Sequence, residues 1–238
     1  MSWSGDFSGK IYLSVHELKS YLALREANQQ LAEENAALQN MVYQNFSENK
    51  AVYMPFADTA LTKQFTYTAA EVIHNTLSHK NNHLIINKGK KHGIEADMAV
   101  VSPLGVAGII IDVSEHYSVA MSLLHKNMRL SCRIANNNYF GILQWDGSHP
   151  KFASLGDIPS HVVLSKGDTV VSRESGGIFP DGTPVGSVVD WSVNPSTGFL
   201  QIQVELFTDF GKLYHVHIIK NEFKTEFDEL EVRMEVSP

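Results

Sequence analysis

Two short fragments of this sequence could serve a nucleophilic serine. Arg173-Glu174-Ser175-Gly176-Gly177 sets a hydroxyl on a glycine-rich turn, and Thr68-Ala69-Ala70-Glu71 could carry a base toward it. Each fails where the mechanism needs it. Glu71 at its ordinary pKa is an ionised carboxylate, which cannot act as an imidazole does toward a serine hydroxyl. Arg173 stands where a glycine N–H would help form an oxyanion hole, and a side chain there restricts the backbone. Among the eleven histidines, His215 and His217 are the closest pair and project to one face of a strand. Tyr214, Val216 and Ile218 then form an apolar opposite face. No carboxylate or cysteine lies within a few residues to complete a metal site, so both read as solvated strand histidines. His74, His79, His83 and His92 fall around turns and strand ends without ligand spacing. Lys90 and Lys91, between Gly89 and Gly93, lack the Gly-Lys-[Ser/Thr] ending and following helix of a phosphate loop, so that stretch reads as a turn. The single Cys132 excludes an internal disulfide and any zinc site needing two thiolates from one chain, and reads as a buried, inert thiol. No catalytic residue, metal or cofactor is expected, and the chain does not read as an enzyme.

Composition narrows the partners. The chain has 26 acidic residues against 19 Lys+Arg, a formal charge of −7, and no basic run that could follow a phosphate backbone, which argues against nucleic acid. No stretch approaches the roughly 18 unbroken apolar residues of a spanning helix. Met1-Ser2-Trp3-Ser4-Gly5 has neither a basic nor an apolar leader region.

The elements that would position any site come in two kinds. From Ser14 to about Phe46 there is no Gly or Pro, and Leu, Ala, Glu, Gln and Asn dominate, so this span (14–47 with its boundary) is expected to be helical. Tyr21, Asn28, Asn35 and Val42 fall seven apart, with Leu24, Leu31 and Leu38 three residues after the first three. That is an a/d heptad pattern with a narrow seam, which favours pairing with another helix over packing on its own domain. Asn facing Asn at successive a positions satisfies both amides in a parallel dimer. Tyr21, Leu24, Asn28, Leu31, Asn35, Leu38 and Val42 are therefore the expected dimerisation residues. The whole helix would be roughly 50 Å long, more than a domain of this size needs for its core.

After a linker at 48–65 the periodicity changes to two. Strands are expected at Thr66–Ile73, His83–Asn87, Met98–Ser102, Val106–Val113, Ser118–Leu123 and Arg129–Ala135, then at Tyr139–Trp145, Lys151–Ser154, Thr169–Ser172, Pro184–Trp191, Phe199–Leu206 and Leu213–Lys220. Gly-, Asn- and Pro-rich turns separate them. Twelve short strands exceed what one small barrel holds, so the fold class is mainly β, a coiled-coil helix followed by two six-stranded barrels. From Glu222, six acids and two bases in 17 residues suggest a mobile or weakly helical tail, 222–238. Phe179, Trp191, Phe207, Phe210 and Tyr214 lie near turns or strand ends, and core is the more frequent fate of such aromatics.

Asn87-Lys88-Gly89-Lys90-Lys91-His92-Gly93-Ile94, Met98-Ala99-Val100-Val101-Ser102 and Leu104-Gly105-Val106-Ala107-Gly108 resemble a run found in the MreC family of bacterial rod shape-determining proteins. Gly167-Asp168-Thr169-Val170-Val171-Ser172, followed by Gly176-Gly177-Ile178-Phe179-Pro180-Asp181-Gly182-Thr183-Pro184-Val185-Gly186, is the most specific match. The sequence departs from the family in carrying Ser172 and Arg173-Glu174-Ser175 where Thr-Ser-Gly is usual. Gly89, Gly93, Gly105, Gly108, Gly167, Asp168, Gly176, Gly177, Pro180, Gly182 and Gly186 read as structural bends rather than chemistry.

The resemblance implies a barrel of about 66–126 plus 211–221, with a second barrel of about 127–210 inserted into it. It implies a leader, 1–13, following a single membrane anchor that is absent here, and a periplasmic location for the rest. It also implies self-association and a role in organising peptidoglycan elongation, and so in cell shape. The partners it implies are a class B penicillin-binding transpeptidase, the membrane protein MreD and, indirectly, other elongation proteins. A secretion or cell-envelope adaptor of the same build is the alternative.

Overall fold

The computed structural model describes residues 24–41, 64–174 and 176–236. Tyr21, Val42, Ser175, the leader and nearly all of the linker lie outside the described residues. A helix, α1 (24–41), precedes twelve strands. They are β1 (Phe65–Asn75), β2 (Asn81–Ile86), β3 (Ala99–Val101), β4 (Val106–Val113), β5 (Ser118–His125), β6 (Leu130–Ile134), β7 (Phe140–Gln144), β8 (Phe152–Pro159), β9 (Thr169–Ser172), β10 (Pro184–Val193), β11 (Phe199–Leu206) and β12 (His215–Asn221). A second helix, α2 (Lys224–Val236), forms where the acidic tail was expected to be mobile or weakly helical.

The strands close into two antiparallel barrels, ordered β1-β12-β3-β4-β5-β2 and β10-β11-β8-β7-β6-β9. The chain leaves the first barrel after β5, builds the second, and returns to insert β12 between β1 and β3. Alternation drives closure: in β11, Leu200, Ile202, Val204 and Leu206 are buried while Phe199, Gln201, Gln203 and Glu205 are exposed. Leu84, Ile86, Ile110, Leu123 and Ile218 fill the first interior, and Ile134, Leu143, Leu155 and Ile202 the second, all fully buried. At about 1.5–3 kcal/mol for each such side chain, these layers supply much of the driving force. Cys132 is buried in β6, and its burial pushes the thiol pKa far up, consistent with an inert core residue.

Two of the expected bends are not bends. Gly108 lies inside β4 and Gly186 inside β10. A Cβ on Gly108 would stand 2.3 Å from the Met121 carbonyl, and one on Gly186 2.3 Å from the Glu205 carbonyl, so each glycine admits a neighbouring strand. Gly89 and Gly93 bracket a single 3-10 turn at Lys90–His92, and Gly105 closes the β3–β4 turn. Gly167 and Asp168 precede β9, where Asp168 accepts the Ser165 N–H at 2.8 Å. Gly176, Gly177, Pro180 and Gly182 shape the connection from β9 to β10.

Candidate interaction surfaces

α1 lies against the first barrel through one stripe, Arg25, Ala32, Ala36 and Asn40, spaced seven, four and four. Ala36 is buried. The His217 Nε2 meets the Ala32 carbonyl at 3.0 Å, so the imidazole donates there. Asn40 bonds Tyr67 of β1 twice, and Arg25 pairs with Glu71 at 3.5 Å. His217 is thus covered by the helix, not solvated as the strand pattern suggested, because α1 lies on the outer face of β12. His215 stays half-exposed, with the Tyr214 ring edge-on to it at 4.7 Å.

The opposite side of α1 carries the Leu seam. Leu24, Leu31 and Leu38 are 63%, 56% and 58% exposed, and Asn28 and Asn35 beside them are exposed as well. One helix therefore holds two stripes, a small-residue one seated on its own barrel and a leucine one turned to solvent.

Several buried bonds tie the barrels together. Ser102, in the turn after β3, shares a 2.8 Å bond with Thr208, which lies on the return path from the second barrel and donates to the Val106 carbonyl at 2.9 Å. A Cβ on Gly105 would stand 2.6 Å from the carbonyl of Pro184 at the start of β10. Asn221, at the end of β12, donates to the Gly177 carbonyl at 2.8 Å. His125, where the chain leaves the first barrel, is buried. Burial, then the neighbouring His83 ring, hold its pKa below the usual histidine value, and its Nδ1 accepts the Asn127 N–H at 3.0 Å.

The second barrel presents a concave face of about 520 Å³ across β7, β8 and β11, with Ile142 and Phe199 exposed beside Gly156 and with Lys126 and Arg129 at its margin. Phe140 is exposed next to it, with the Arg173 guanidinium 4.0 Å above its ring. Nearby, Arg133 donates to both Asp181 oxygens, at 3.2 and 3.0 Å, and this bond holds the Asp181 carboxyl below the usual carboxylate range. Of the aromatics singled out from sequence, Phe179 and Phe210 are core, Trp191 and Phe207 half-buried and Tyr214 exposed. The Phe140, Ile142 and Phe199 surface was missed. Its signal is the run Tyr139-Phe140-Gly141-Ile142-Leu143, which is apolar on both faces of a strand that needs only one for its core.

The fragments that suggested a serine nucleophile are used structurally. Glu71 accepts from the Asn87 amide at 3.3 Å and pairs with Arg25; Glu174 accepts from Gln64 at 2.8 Å. Among the described residues no helix is long and apolar enough to cross a membrane.

The family model for the rod shape-determining protein MreC, barrel core, matches residues 72–220, which holds all but the first part of the two-barrel body. The chain belongs to the MreC family. The cell shape-determining protein MreC of Listeria monocytogenes is 26% identical over 87% of this chain and 71% of its own length. The MreC of Haemophilus influenzae is 28% identical over 80% of this chain and 54% of its own length. Among solved structures, that of the Listeria MreC superposes with a TM-score of 0.65 at 24% identity, over 84% of this chain and 94% of that one. MreC from a complex with penicillin-binding protein PBP2 of Helicobacter pylori gives 0.52 at 18% identity, over 66% of this chain and all of that one. These likenesses show the MreC fold, two six-stranded barrels in a mainly β body.

Proposed function

We propose that this MreC family member is a non-catalytic scaffold that organises peptidoglycan elongation, and so cell shape, working as a parallel dimer joined through α1. The observation that carries the pairing is the exposed Leu24, Leu31 and Leu38 seam on a helix already anchored by its opposite stripe. An apolar seam left in water gains by meeting a copy of itself. Asn28 and Asn35 then pair across the dimer and select the parallel register. Tyr21 and Val42 extend the same heptads.

The partner reading rests on the relatives. A Helicobacter MreC is known in complex with PBP2, and a class B transpeptidase of that kind is the proposed partner here, with MreD and other elongation proteins in the same assembly. A solved MreC fragment is described as the major periplasmic domain of a cell shape-determining filament. By analogy we place these residues outside the cytoplasmic membrane, tethered by one membrane helix. The exposed Phe140, Ile142 and Phe199 face has the aromatic, aliphatic and arginine composition of an interface centre and is the surface we nominate for the transpeptidase.

The deciding experiment is solution molar mass by light scattering, beside Asn28→Lys/Asn35→Lys and Leu31→Glu variants. A dimer that becomes a monomer with its β spectrum intact supports the reading; a monomeric native chain sinks it. Crosslinking that recovers a translocase instead of a transpeptidase would favour a secretion adaptor.

A further inference from the structure

The outer wall of the second barrel holds a glycine that the fold does not require. Gly156 lies in β8 opposite Ile142 of β7. A Cβ added to it would meet no atom within 4 Å, and its φ lies outside the left-handed region. At the irregularity beside it the positive φ belongs to Asp157. Gly141 is the contrast: a Cβ there would run into the Gly156 carbonyl, so strand packing demands that glycine. A strand glycine that neither bends the chain nor admits a neighbouring strand leaves a smooth floor for something outside the protein.

That floor is the bottom of a trough. Gln144 of β7, Ser154 of β8, Gln203 of β11 and Asp190 of β10 lie in register across the wall and so share its outer face. The concave face of about 520 Å³ described above runs along this row into a second hollow of about 300 Å³, sharing Asp146, Ser154 and Gln201 with it. Across four strands the trough is about 14 Å long, enough for a short run of linked sugars. Phe199 is exposed at one end, and Trp191 lines the other.

The chemistry of the lining selects the occupant. Gln201 donates to Ser154 at 3.3 Å and Gln144 to the Lys126 carbonyl at 2.7 Å, which orients both side chains and leaves each an amide oxygen and a second N–H. Such amides donate and accept at once, as hydroxyl and acetamido groups do. A dry protein interface would strip water from Gln144, Gln201 and Gln203 without replacing their bonds. A polyanion would meet Asp146, Asp157 and Asp190 as well as Lys126 and Arg129. The neutral polar floor suits an uncharged, hydroxyl-rich chain. Phe199 offers a flat apolar ring to the C–H face of a pyranose. Ile142, 37% exposed beside the open space over Gly156, suits the methyl of an acetamido group.

We propose that this trough binds a glycan chain of N-acetylhexosamine units. The proposal rests on the wall-elongation reading above, in which a polymer of that kind is what the assembly handles. Binding is weak per site, because the trough is open and stays wet at its edges. It shares Ile142 and Phe199 with the face nominated for the transpeptidase, while Phe140 lies outside it.

The test is NMR titration of the full chain with chitotetraose, an N-acetylglucosamine oligomer, beside cellotetraose, which has the same backbone without acetamido groups. Saturable shifts of the Gln144, Gln201 and Gln203 side-chain amides with chitotetraose are expected, with a Kd of about 1 mM. Cellotetraose should bind roughly tenfold more weakly. Gly156→Glu should fill the trough and abolish binding with the β spectrum unchanged, since its side chain enters open space. Gln201→Ala should weaken binding roughly tenfold. No saturable shift up to about 10 mM chitotetraose overturns the proposal, as does binding that neither variant changes. Equal binding of cellotetraose overturns the N-acetyl assignment. Transpeptidase capture, and its loss in Phe140→Glu, is measured without sugar. Sugar binding without capture therefore marks failure of the earlier reading, and capture without sugar binding marks failure of this one.

Discussion

Asn40 of α1 holds Tyr67 of β1 by both ends of its amide: its Nδ2 donates to the Tyr67 carbonyl at 3.2 Å, and its Oδ1 accepts the Tyr67 N–H at 3.0 Å. β1 pairs with β12 along residues 65–71 but with β2 only from Val72 onward. Among the described residues the first half of β1 thus has no second neighbouring strand, and Asn40 supplies at Tyr67 the pair of bonds such a strand would have made. Asn40→Ala leaves this part-buried N–H and carbonyl without that partner, at a cost of about 1–3 kcal/mol. Asn40→Asp keeps the acceptor and loses the donor, so it should fall in between. Hydrogen exchange at the Tyr67 amide, faster in both variants and fastest in Asn40→Ala, checks this.

The two stripes of α1 predict separable effects. Ala36→Leu adds three carbons where α1 meets the barrel and should lift the helix without unfolding the strands, since overpacking of this kind costs about 1–3 kcal/mol. His217 would lose its bond to Ala32. NMR of the His217 ring N–H should then show faster exchange with solvent, whereas Leu31→Glu, on the other side of the helix, should leave that signal in place.

This double use of one helix explains what the sequence could and could not disclose. Leu24, Leu31 and Leu38 are the large apolar residues, so they dominate the periodicity; Ala32 and Ala36 look like helix filler until β12 is seen beneath them. The strands were plainer. Val106–Val113, Thr169–Ser172 and Phe199–Leu206 have the limits that alternation predicted. β8 runs on to Pro159 instead of ending at Ser154, because Gly156 and Asp157, the latter at φ 63°, interrupt the alternation without ending the pairing. Gly108 and Gly186 looked like turns because glycine signals both a bend and a close strand approach. The helicity of α2 was obscured by the acidic residues that suggested a mobile or weakly helical tail.

The bonds between barrels predict cooperative unfolding. Gly105→Ala would drive a methyl group against the Pro184 carbonyl, and Thr208→Val would leave the buried Ser102 hydroxyl without its Thr208 partner. Each should cost about 1–3 kcal/mol. Scanning calorimetry should show one transition for the native chain and, in the double variant, two, as the inserted barrel uncouples from the one that encloses it.

Two groups predict losses of stability on acidification, in separate pH windows. His125 has a lowered folded pKa, so the unfolded chain takes up its proton first. Its contribution to stability is level above about pH 6.5 and declines as pH falls from there toward the folded value. His125→Asn, which can keep an acceptor for the Asn127 N–H, should flatten that decline. Asp181 is likewise depressed, chiefly by the Arg133 bond, and its contribution, present above the ordinary Asp pKa, is lost in the more acidic range as pH falls through the folded value. The carboxylate is half-exposed, so the effect is small, below about 1 kcal/mol. Urea midpoints of Asp181→Asn and native protein should differ at pH 7 and converge in acid. A gap that persisted unchanged into acid would mean that the Arg133 ion pair is not its source.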